Sequence, residues 1–206
     1  MEAIRQRKGI MGGTFDPIHN GHLTLAESAR RQLSLDTIIF LPSGNPPHKQ
    51  HRLDGATDAQ RLAMVQLAIR DYTQFSLDDE EMRRGGLPYT KDTILRMKAR
   101  EPGTEFYFII GGDSLMAFDT WYHPDIICEN CVLDATGRDE LALGTLQRKI
   151  EELEKSFGAH IVLLDLPEMQ ISSTDLRRRF REHQSVEGLV PDAVTEYIEK
   201  NGIYGG

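Results

Sequence analysis

Residues 12–22 read Gly-Gly-Thr-Phe-Asp-Pro-Ile-His-Asn-Gly-His and lie between a short apolar segment and an amphipathic run. This order predicts a strand, a glycine loop and the N-terminus of a helix that carries two imidazoles. The adjacent Gly12 and Gly13 let backbone N–H groups approach a ligand closely, and Pro17 stiffens the turn. Because helix N-termini attract anions, we interpret residues 12–22, the signature segment, as a phosphate site.

Two simpler interpretations compete with a phosphate site. The glycines could serve only to turn a strand into a helix, and His19 and His22 could be part of a metal site or solvated residues at a helix start. A zinc site needs three or four ligands, and no Cys or further His lies at ligand spacing nearby. The complete string of residues therefore favours the phosphate interpretation.

The composition is that of a globular protein. Of the 206 residues, 39% are hydrophobic and 27% are charged, and no apolar run is long enough to span a bilayer. We expect one domain over residues 1–206, a cytoplasmic location and no membrane partner. The net charge of -8 repels nucleic acid, so we expect no nucleic-acid partner and local positive groups around any anionic substrate.

Strand-like and helix-like segments alternate along the chain. Apolar runs predict strands at about residues 7–11, 37–41, 75–77, 105–110, 131–133 and 160–166, with amphipathic helices between them. This alternation predicts an α/β fold, a Rossmann-like, doubly wound and largely parallel sheet. Residues from about 171 to 206 are expected to form a C-terminal helical portion.

Two of the predicted helices carry apolar stripes that should face the core. The helix at about residues 58–70 has the stripe Leu62, Val65 and Ile69. The helix at about residues 90–101 has the stripe Ile94, Leu95 and Met97.

The strongest strand-like run also ends in two glycines, Gly111 and Gly112, followed by Asp113. Ligands of open doubly wound sheets bind beyond the carboxyl ends of the strands, where the strand order reverses. If the first and fourth strands are neighbours, both glycine pairs frame one crevice. Asp113 would then be the N-cap of the next helix or a partner of a ribose hydroxyl or a metal-bound water. Trp121 would be a core residue or would stack on a planar ring.

A second anion site is predicted near the C-terminus. Residues 172–175, Ser-Ser-Thr-Asp, match a capping box, which alone would explain the hydroxyls. An arginine follows one turn later at Arg177, and hydroxyls with an arginine at a helix N-terminus attract phosphate. Successive helical residues point about 100° apart, so of the clustered arginines we choose Arg177.

Other motifs are absent or better explained by structure. The chain has no G-x-S-x-G elbow, no P-loop and no G-x-G-x-x-G, so hydrolases, P-loop proteins and dinucleotide oxidoreductases lack their signatures. Cys128 and Cys131 have C-x-x-C spacing, but the apolar runs around them favour a structural role. Phosphate-directed groups without an obvious nucleophile suit phosphoryl or nucleotidyl transfer.

These residues resemble the nucleotidyltransferase superfamily with its H-x-G-H and I-S-S-T-x-x-R motifs, which stand here at residues 19–22 and 171–177. Within it, the chain is similar to the bacterial nicotinate mononucleotide adenylyltransferases. The closer similarity rests on Pro46-Pro47-His48-Lys49, Tyr89-Thr90, Gly112-Asp113, Trp121-Tyr122 and the ending from Leu189 to Tyr204.

The resemblance implies an enzyme of NAD biosynthesis. It would join ATP and nicotinate mononucleotide to give deamido-NAD and pyrophosphate, by in-line attack of the mononucleotide phosphate on the α-phosphorus of ATP. Mg2+ would be the cofactor, held by the ATP phosphates, and no protein side chain is expected to bind metal. Nicotinamide mononucleotide and phosphopantetheine are alternative acceptors, and a non-catalytic nucleotide sensor is a further alternative. A homo-oligomer is left open.

The resemblance also implies roles for individual residues. The implied catalytic residues are His19, His22 and Arg177. The implied ATP site consists of Gly12, Gly13, Thr14, Phe15, His22, Gly112, Asp113, Ser172, Ser173 and Arg177. The implied mononucleotide site consists of Asp16, Lys49, Tyr89, Thr90, Trp121 and Arg138.

Two positions depart from the family pattern. Pro88 stands where the family usually has a small Ser, and it removes one N–H donor. Residues 135–137 read Ala-Thr-Gly where the family commonly has Arg-Pro-Gly, with Arg138 one place further. Either Arg138 substitutes for the arginine of the family, or recognition of the acceptor differs.

Overall fold

The computed structural model describes residues 5–44, 55–85, 89–136, 140–165 and 171–205, and for residues 140–143 it describes the backbone alone. Several residues singled out in the sequence lie outside the described ones. They are Pro46, Pro47, His48, Lys49, Pro88, Gly137 and Arg138.

The chain forms a six-stranded parallel sheet flanked by helices. The strands are β1 (Arg7–Gly13), β2 (Thr37–Pro42), β3 (Phe75–Leu77), β4 (Glu105–Gly111), β5 (Val132–Thr136) and β6 (Ile161–Leu164). Their order across the sheet is β3-β2-β1-β4-β5-β6, so the direction of winding reverses between β1 and β4. The predicted Rossmann-like, doubly wound α/β fold is confirmed.

Strands β1 and β4 are parallel neighbours, with Met11 opposite Ile109. The glycine pairs therefore stand at the carboxyl ends of adjacent strands, which meets the condition stated in the sequence analysis. Gly12 and Gly13 differ from the prediction in one respect, because they are the last residues of β1 and not part of a loop. The loop that leads to the next helix consists of residues 14–19.

Nine α-helices are present in the described ranges. They are α1 (Asn20–Gln32), α2 (Asp58–Ile69), α3 (Glu80–Arg84), α4 (Thr90–Arg100), α5 (Gly112–Met116), α6 (Pro124–Asn130), α7 (Glu140–Phe157), α8 (Ser173–Arg181) and α9 (Asp192–Lys200). Within the residues described, 3-10 helices span Phe118–Thr120 and Ile203–Gly205. Helix α3 was not predicted, because its five residues are too short for a periodic apolar stripe. In the described part of the chain, no helix is long and apolar enough to cross a membrane.

Two predicted apolar stripes are partly wrong. In α2, Val65 and Ile69 are buried as expected, but Leu62 is only half-buried and its neighbour Arg61 is fully buried. In α4, Ile94 is buried, whereas Leu95 is 40% exposed. Helix α2 begins at a capping box: the Thr57 side chain accepts from the backbone N–H of Gln60, and the Gln60 side chain accepts from the backbone N–H of Thr57.

The chain divides into two compact units, and the single domain stays a prediction. The first unit comprises Met1–Gly12, Ala26–Ile39 and Pro88–Glu168, and its core includes Ile10, Ile94, Phe106, Leu115, Ile127 and Leu133. The second comprises Gly13–Leu25, Phe40–Leu87 and Met169–Gly206, and its core includes Ile18, Phe40, Met64, Val65, Leu176 and Ile198.

Candidate active site

The backbone of the signature segment is held in an unusual conformation. The Asp16-Pro17 peptide bond is cis, and Phe15 has a φ of 50° in the left-handed region. The Phe15 ring is buried and folds back over Gly13, where an added Cβ would lie 3.0 Å from two of its ring carbons. Gly13 is therefore required by close packing against Phe15. A left-handed aromatic residue persists only where its surroundings hold it in place.

The two imidazoles of the H-x-G-H motif form a stacked pair. The ring centroids of His19 and His22 lie 3.7 Å apart, and the rings are inclined by 22°. The backbone N–H of His19 donates to Nδ1 of His22 over 3.2 Å, so a neutral His22 carries its proton on Nε2. A Cβ on Gly21 would lie 3.1 Å from His19 Nδ1, so the glycine between the histidines makes room for this stack.

Both imidazoles are neutral at pH 7. Burial lowers the pKa of His19 to about 4, because the charged ring would lose its hydration. Burial, followed by the proximity of His19, lowers the pKa of His22 well below its ordinary value. His19 and His22 would therefore bind an anion through neutral N–H donors and not through positive charges.

Asp16 is the centre of a buried hydrogen-bond network, which we call the Asp16 network: Asp16, Ala56, Arg177 and Tyr204. Its Oδ1 accepts from the Tyr204 hydroxyl over 2.7 Å and from the Ala56 backbone N–H over 3.0 Å. Its backbone carbonyl accepts from Arg177 Nη1 over 2.6 Å, and the same nitrogen lies 3.8 Å from Asp16 Oδ2. The resemblance implied a ligand role for Asp16, but here its carboxylate bonds within the protein and is 7% exposed.

The I-S-S-T-x-x-R motif lies directly against the signature segment. Ser172 is the N-cap of α8 and accepts from the backbone N–H of Asp175, as the capping pattern predicted. Ser173 donates to the carbonyl of Pro17 over 3.0 Å. Arg177 also donates to the Thr174 hydroxyl and is 5% exposed. The structure thus brings the two predicted phosphate motifs together, although they are about 150 residues apart in sequence.

Arg61 is a second buried cation beside the signature segment, and it was missed in the sequence. Its guanidinium donates to the carbonyls of Thr14 and Ser43 and to Asp58 Oδ1, and its side chain is 1% exposed. It connects the end of β1, the end of β2 and the first turn of α2. An arginine in the buried stripe of a helix was the signal that could have identified it.

The site residues of the first unit begin at the end of β4. Gly111 is the N-cap of α5, so the alternative in which Asp113 caps this helix is wrong, and Asp113 lies exposed in the first turn. A Cβ on Gly112 would lie 2.7 Å from the carbonyl oxygen of Thr136. Only glycine therefore allows α5 to start this close to β5.

The predicted ring-binding residues also lie in the first unit. Trp121 is half-buried, and its ring packs against Phe118 with centroids 5.2 Å apart. Tyr89 is 40% exposed and contacts Tyr122 with centroids 4.5 Å apart. Thr90 is the first residue of α4. Exposed aromatic faces of this kind can stack on a planar heterocycle.

The cysteines are buried thiols. Cys128 and Cys131 are not joined by a disulfide. Burial raises the pKa of Cys128 to about 11 and that of Cys131 to about 12. Such thiols are poor nucleophiles and poor metal ligands. Within the residues that the structure describes, no group of three or more His, Cys, Asp or Glu could hold a metal ion.

Comparison with known proteins connects this geometry to a family. The model of the cytidylyltransferase-like family matches residues 10–179, which include both motifs. A "probable nicotinate-nucleotide adenylyltransferase" of Lachnoclostridium phytofermentans is 45% identical over 199 residues, covering 97% of this chain and 99% of the relative. A relative of the same name from Clostridium botulinum, strain Eklund 17B, is 40% identical over 97% of this chain and 98% of its own.

A solved structure shares the fold. It is the nicotinic acid mononucleotide adenylyltransferase of Plasmodium falciparum complexed with NaAD, with a TM-score of 0.77 and 20% identity over 97% of this chain and 98% of its own. Similarity to the curated relatives extends over nearly the whole length of each. The chain therefore belongs to the cytidylyltransferase-like family and, within it, to the nicotinate-nucleotide adenylyltransferases.

Proposed function

We propose that this protein transfers the adenylyl group of ATP to nicotinate mononucleotide, giving deamido-NAD and pyrophosphate in the biosynthesis of NAD. The observation that carries the proposal is the direct contact between the H-x-G-H and I-S-S-T-x-x-R segments, Ser173 to Pro17 and Arg177 to Asp16, in a chain whose relatives bear this name. The two segments together present phosphate-directed groups and no protein nucleophile. That chemistry suits direct transfer between two bound substrates.

The reaction needs positioning and charge stabilisation. A phosphate oxygen of the mononucleotide forms a bond to the α-phosphorus of ATP, the bond to the bridging oxygen breaks, and pyrophosphate leaves. His22 is held in the tautomer that carries Nε2–H, because its Nδ1 accepts from the His19 backbone. We assign this N–H, with the ring of His19, to the phosphate oxygens on which negative charge grows. Donors fixed before the reaction stabilise that charge without reorganising.

The remaining ATP contacts are proposed for both motifs and for the end of β4. Arg177 has five N–H donors, and its bonds to Asp16 and Thr174 leave others for a phosphate. Together with Arg177 we propose Gly12, Gly13, Thr14, Phe15, Ser172, Ser173, Gly112 and Asp113. Phe15 acts here through its backbone, because its ring is buried.

The acceptor site is proposed for the aromatic residues of the first unit. Tyr89, Thr90 and Trp121 are assigned to the pyridine ring and its carboxylate, and Lys49 and Arg138 to the mononucleotide phosphate. Asp16 is moved from this site to the supporting network, because its Oδ1 already accepts two internal hydrogen bonds. Mg2+ is proposed to enter with ATP as part of the substrate, and the cytoplasm is the predicted location.

The test is a competition among acceptors. Pyrophosphate release from ATP and Mg2+ is measured with nicotinate mononucleotide, nicotinamide mononucleotide and phosphopantetheine, separately and together. We expect the highest kcat/KM with nicotinate mononucleotide and a dinucleotide product of matching mass. Preference for phosphopantetheine, or no release with either pyridine nucleotide, would contradict the proposal.

A different acceptor is the second candidate, because one observation favours it. Ala135 and Thr136, the last residues of β5, are buried and stand where the family commonly has an arginine and a proline. Neither side chain can supply the positive charge of that arginine. A preference for nicotinamide mononucleotide in the competition would support this candidate.

A further inference from the structure

Tyr204 and Asp16 are 188 residues apart in sequence, yet the Tyr204 hydroxyl bonds to the signature segment. It lies in the last 3-10 helix, Ile203–Gly205, is 5% exposed and adopts a φ of 69° in the left-handed region. The centroids of the Tyr204 and Phe180 rings lie 5.9 Å apart, and the Tyr204 hydroxyl donates to Asp16 Oδ1 over 2.7 Å. The left-handed backbone conformation costs free energy for a tyrosine. In this conformation the Tyr204 hydroxyl reaches Asp16.

The Asp16 carboxylate lies in the turn that immediately precedes the histidines. Asp16 lies between Phe15, whose φ is positive, and the Pro17 that precedes Ile18 and His19. An unpaired carboxylate that is 7% exposed would be driven to find water or another donor. Either change would move the backbone that immediately precedes the imidazole stack.

The donors to Asp16 come from separate places in the second unit. Ala56 lies just before α2, Arg177 lies in α8, and Tyr204 follows α9. The Ala56 donor is a backbone N–H, and Arg177 Nη1 is bonded to the backbone carbonyl with the carboxylate 3.8 Å away. Tyr204 is therefore the only one of these three residues that donates to Oδ1 through its side chain. Replacing Tyr204 by Phe removes this hydroxyl donor and nothing else.

We propose that Tyr204 is a positioning residue for adenylyl transfer, which sets the placement of His19 and His22 through the carboxylate of Asp16. The proposal rests on the proposed function for its kinetic part and on the geometry of the second unit for its structural part. Tyr204 touches neither substrate and acts through Asp16 alone. A loosened Asp16 would leave ATP binding nearly intact but would misplace the donors in the transition state.

The test compares Tyr204→Phe with the matched control Tyr197→Phe. Tyr197 is a half-buried tyrosine of α9 whose hydroxyl has no partner in the part of the chain that the structure describes. For Tyr204→Phe we expect kcat to fall about tenfold, with KM for ATP changed less than about twofold. For Tyr197→Phe we expect both constants to be unchanged.

A second measurement does not depend on activity. The ring nitrogens of His19 and His22 are observed by 15N NMR in the substrate-free protein. We expect their signals to shift or broaden in Tyr204→Phe and to stay unchanged in Tyr197→Phe. If the wild type transfers no adenylyl group, the proposed function fails, but these signals still decide whether Tyr204 positions the histidines.

A double-mutant cycle tests the route through Asp16. Asp16→Asn keeps the shape of the side chain but weakens its attraction for the Tyr204 hydroxyl and Arg177. If Tyr204 acts through Asp16, the double variant loses little more kcat than the more severe single variant. Additive losses, or a Tyr204→Phe protein with unchanged kcat and unchanged imidazole signals, would overturn the proposal even if its melting temperature falls.

Discussion

The backbone N–H of His19 and Nδ1 of His22 share a 3.2 Å hydrogen bond, and the two rings stack with centroids 3.7 Å apart. The hydrogen bond thus selects the tautomer of His22. Because the rings are stacked, protonation of one imidazole disfavours protonation of the other. The pair is prepared to donate hydrogen bonds to an incoming anion before any substrate binds.

Replacing His22 by Ala should separate catalysis from binding. The Nε2–H is assigned to charge that grows in the transition state, so we expect kcat to fall about 10²–10³-fold. The affinity for ATP should change little, because the ground-state contacts remain. Steady-state kinetics and calorimetric titration with ATP check this, with the exposed His160→Ala as control. An equal loss of affinity and turnover would assign His22 to ground-state binding.

Acid should destabilise the protein through these imidazoles. The pKa of His19 is lowered to about 4 in the folded state, so between about pH 6.5 and 4 the unfolded chain binds the extra proton. Stability is then fully present above pH 6.5 and is lost as the pH falls, by up to about 1.4 kcal/mol per pH unit. Urea unfolding at several pH values should show a shallower decline in His19→Gln. Parallel curves would contradict the assignment.

Asp134 should have the opposite pH dependence. It is fully buried in β5, its carboxyl oxygens have no hydrogen-bond partner within the described chain, and burial raises its pKa to about 8. Between about pH 4 and 8 the folded state keeps a proton that the unfolded state has released, so this contribution to stability is lost as the pH rises. The free energy of unfolding of Asp134→Asn, relative to wild type, should therefore increase from pH 5 to 8. The exposed Asp165→Asn is the control.

Arg61→Met should destabilise the second unit and reduce activity. The change leaves the carbonyls of Thr14 and Ser43 without their buried donor, which costs about 3–5 kcal/mol in comparable buried sites. Arg83→Met removes an exposed arginine bonded to Asp79 and should cost less than about 1 kcal/mol. Urea denaturation gives both values. If Arg61→Met lowers the free energy of unfolding no more than Arg83→Met does, the buried hydrogen bonds of Arg61 make no net contribution to stability.

Gly112→Ala should strain the junction between β4 and α5. The new Cβ would lie 2.7 Å from the Thr136 carbonyl, a backbone atom, so the helix start must shift, at about 1–3 kcal/mol. Gly144→Ala is the matched control in α7, where an added Cβ meets nothing within 4 Å and should stabilise by about 0.5–1 kcal/mol. Thermal unfolding distinguishes the two. Equal effects would mean that the approach of α5 to β5 is not tight.

The fold could be predicted largely from local sequence patterns. The six strands and the cap at Ser172 follow from apolar runs and turn residues, which act over short stretches of chain. That β1 and β4 are neighbours was only a condition in the sequence analysis, and the structure meets it. The errors have the same origin. Leu95 was placed in the core because it fits a helical stripe, although the helix buries Ile94 and Met97 and leaves Leu95 exposed.

The supporting residues of the site could not be predicted in this way. Asp16 and Tyr204 are polar groups whose burial depends on partners distant in sequence, and no periodicity reports such partners. Arg61 lies in the buried stripe of α2, but its partners Thr14 and Ser43 are likewise not given by that stripe. The family resemblance assigned Asp16 to the mononucleotide, whereas in the structure its carboxylate accepts from Tyr204, 188 residues further along the chain.

The bond between Asp16 and Tyr204 spans 188 residues, and this span has a consequence for synthesis on the ribosome. The signature segment leaves the exit tunnel well before its anchors in α8 and beyond α9. A nascent chain therefore lacks the finished imidazole arrangement until Tyr204 has been synthesised and has left the tunnel. Truncated products that end before residue 177 carry the histidines without the donors that place them, so they should not hydrolyse or transfer nucleotide while they await degradation.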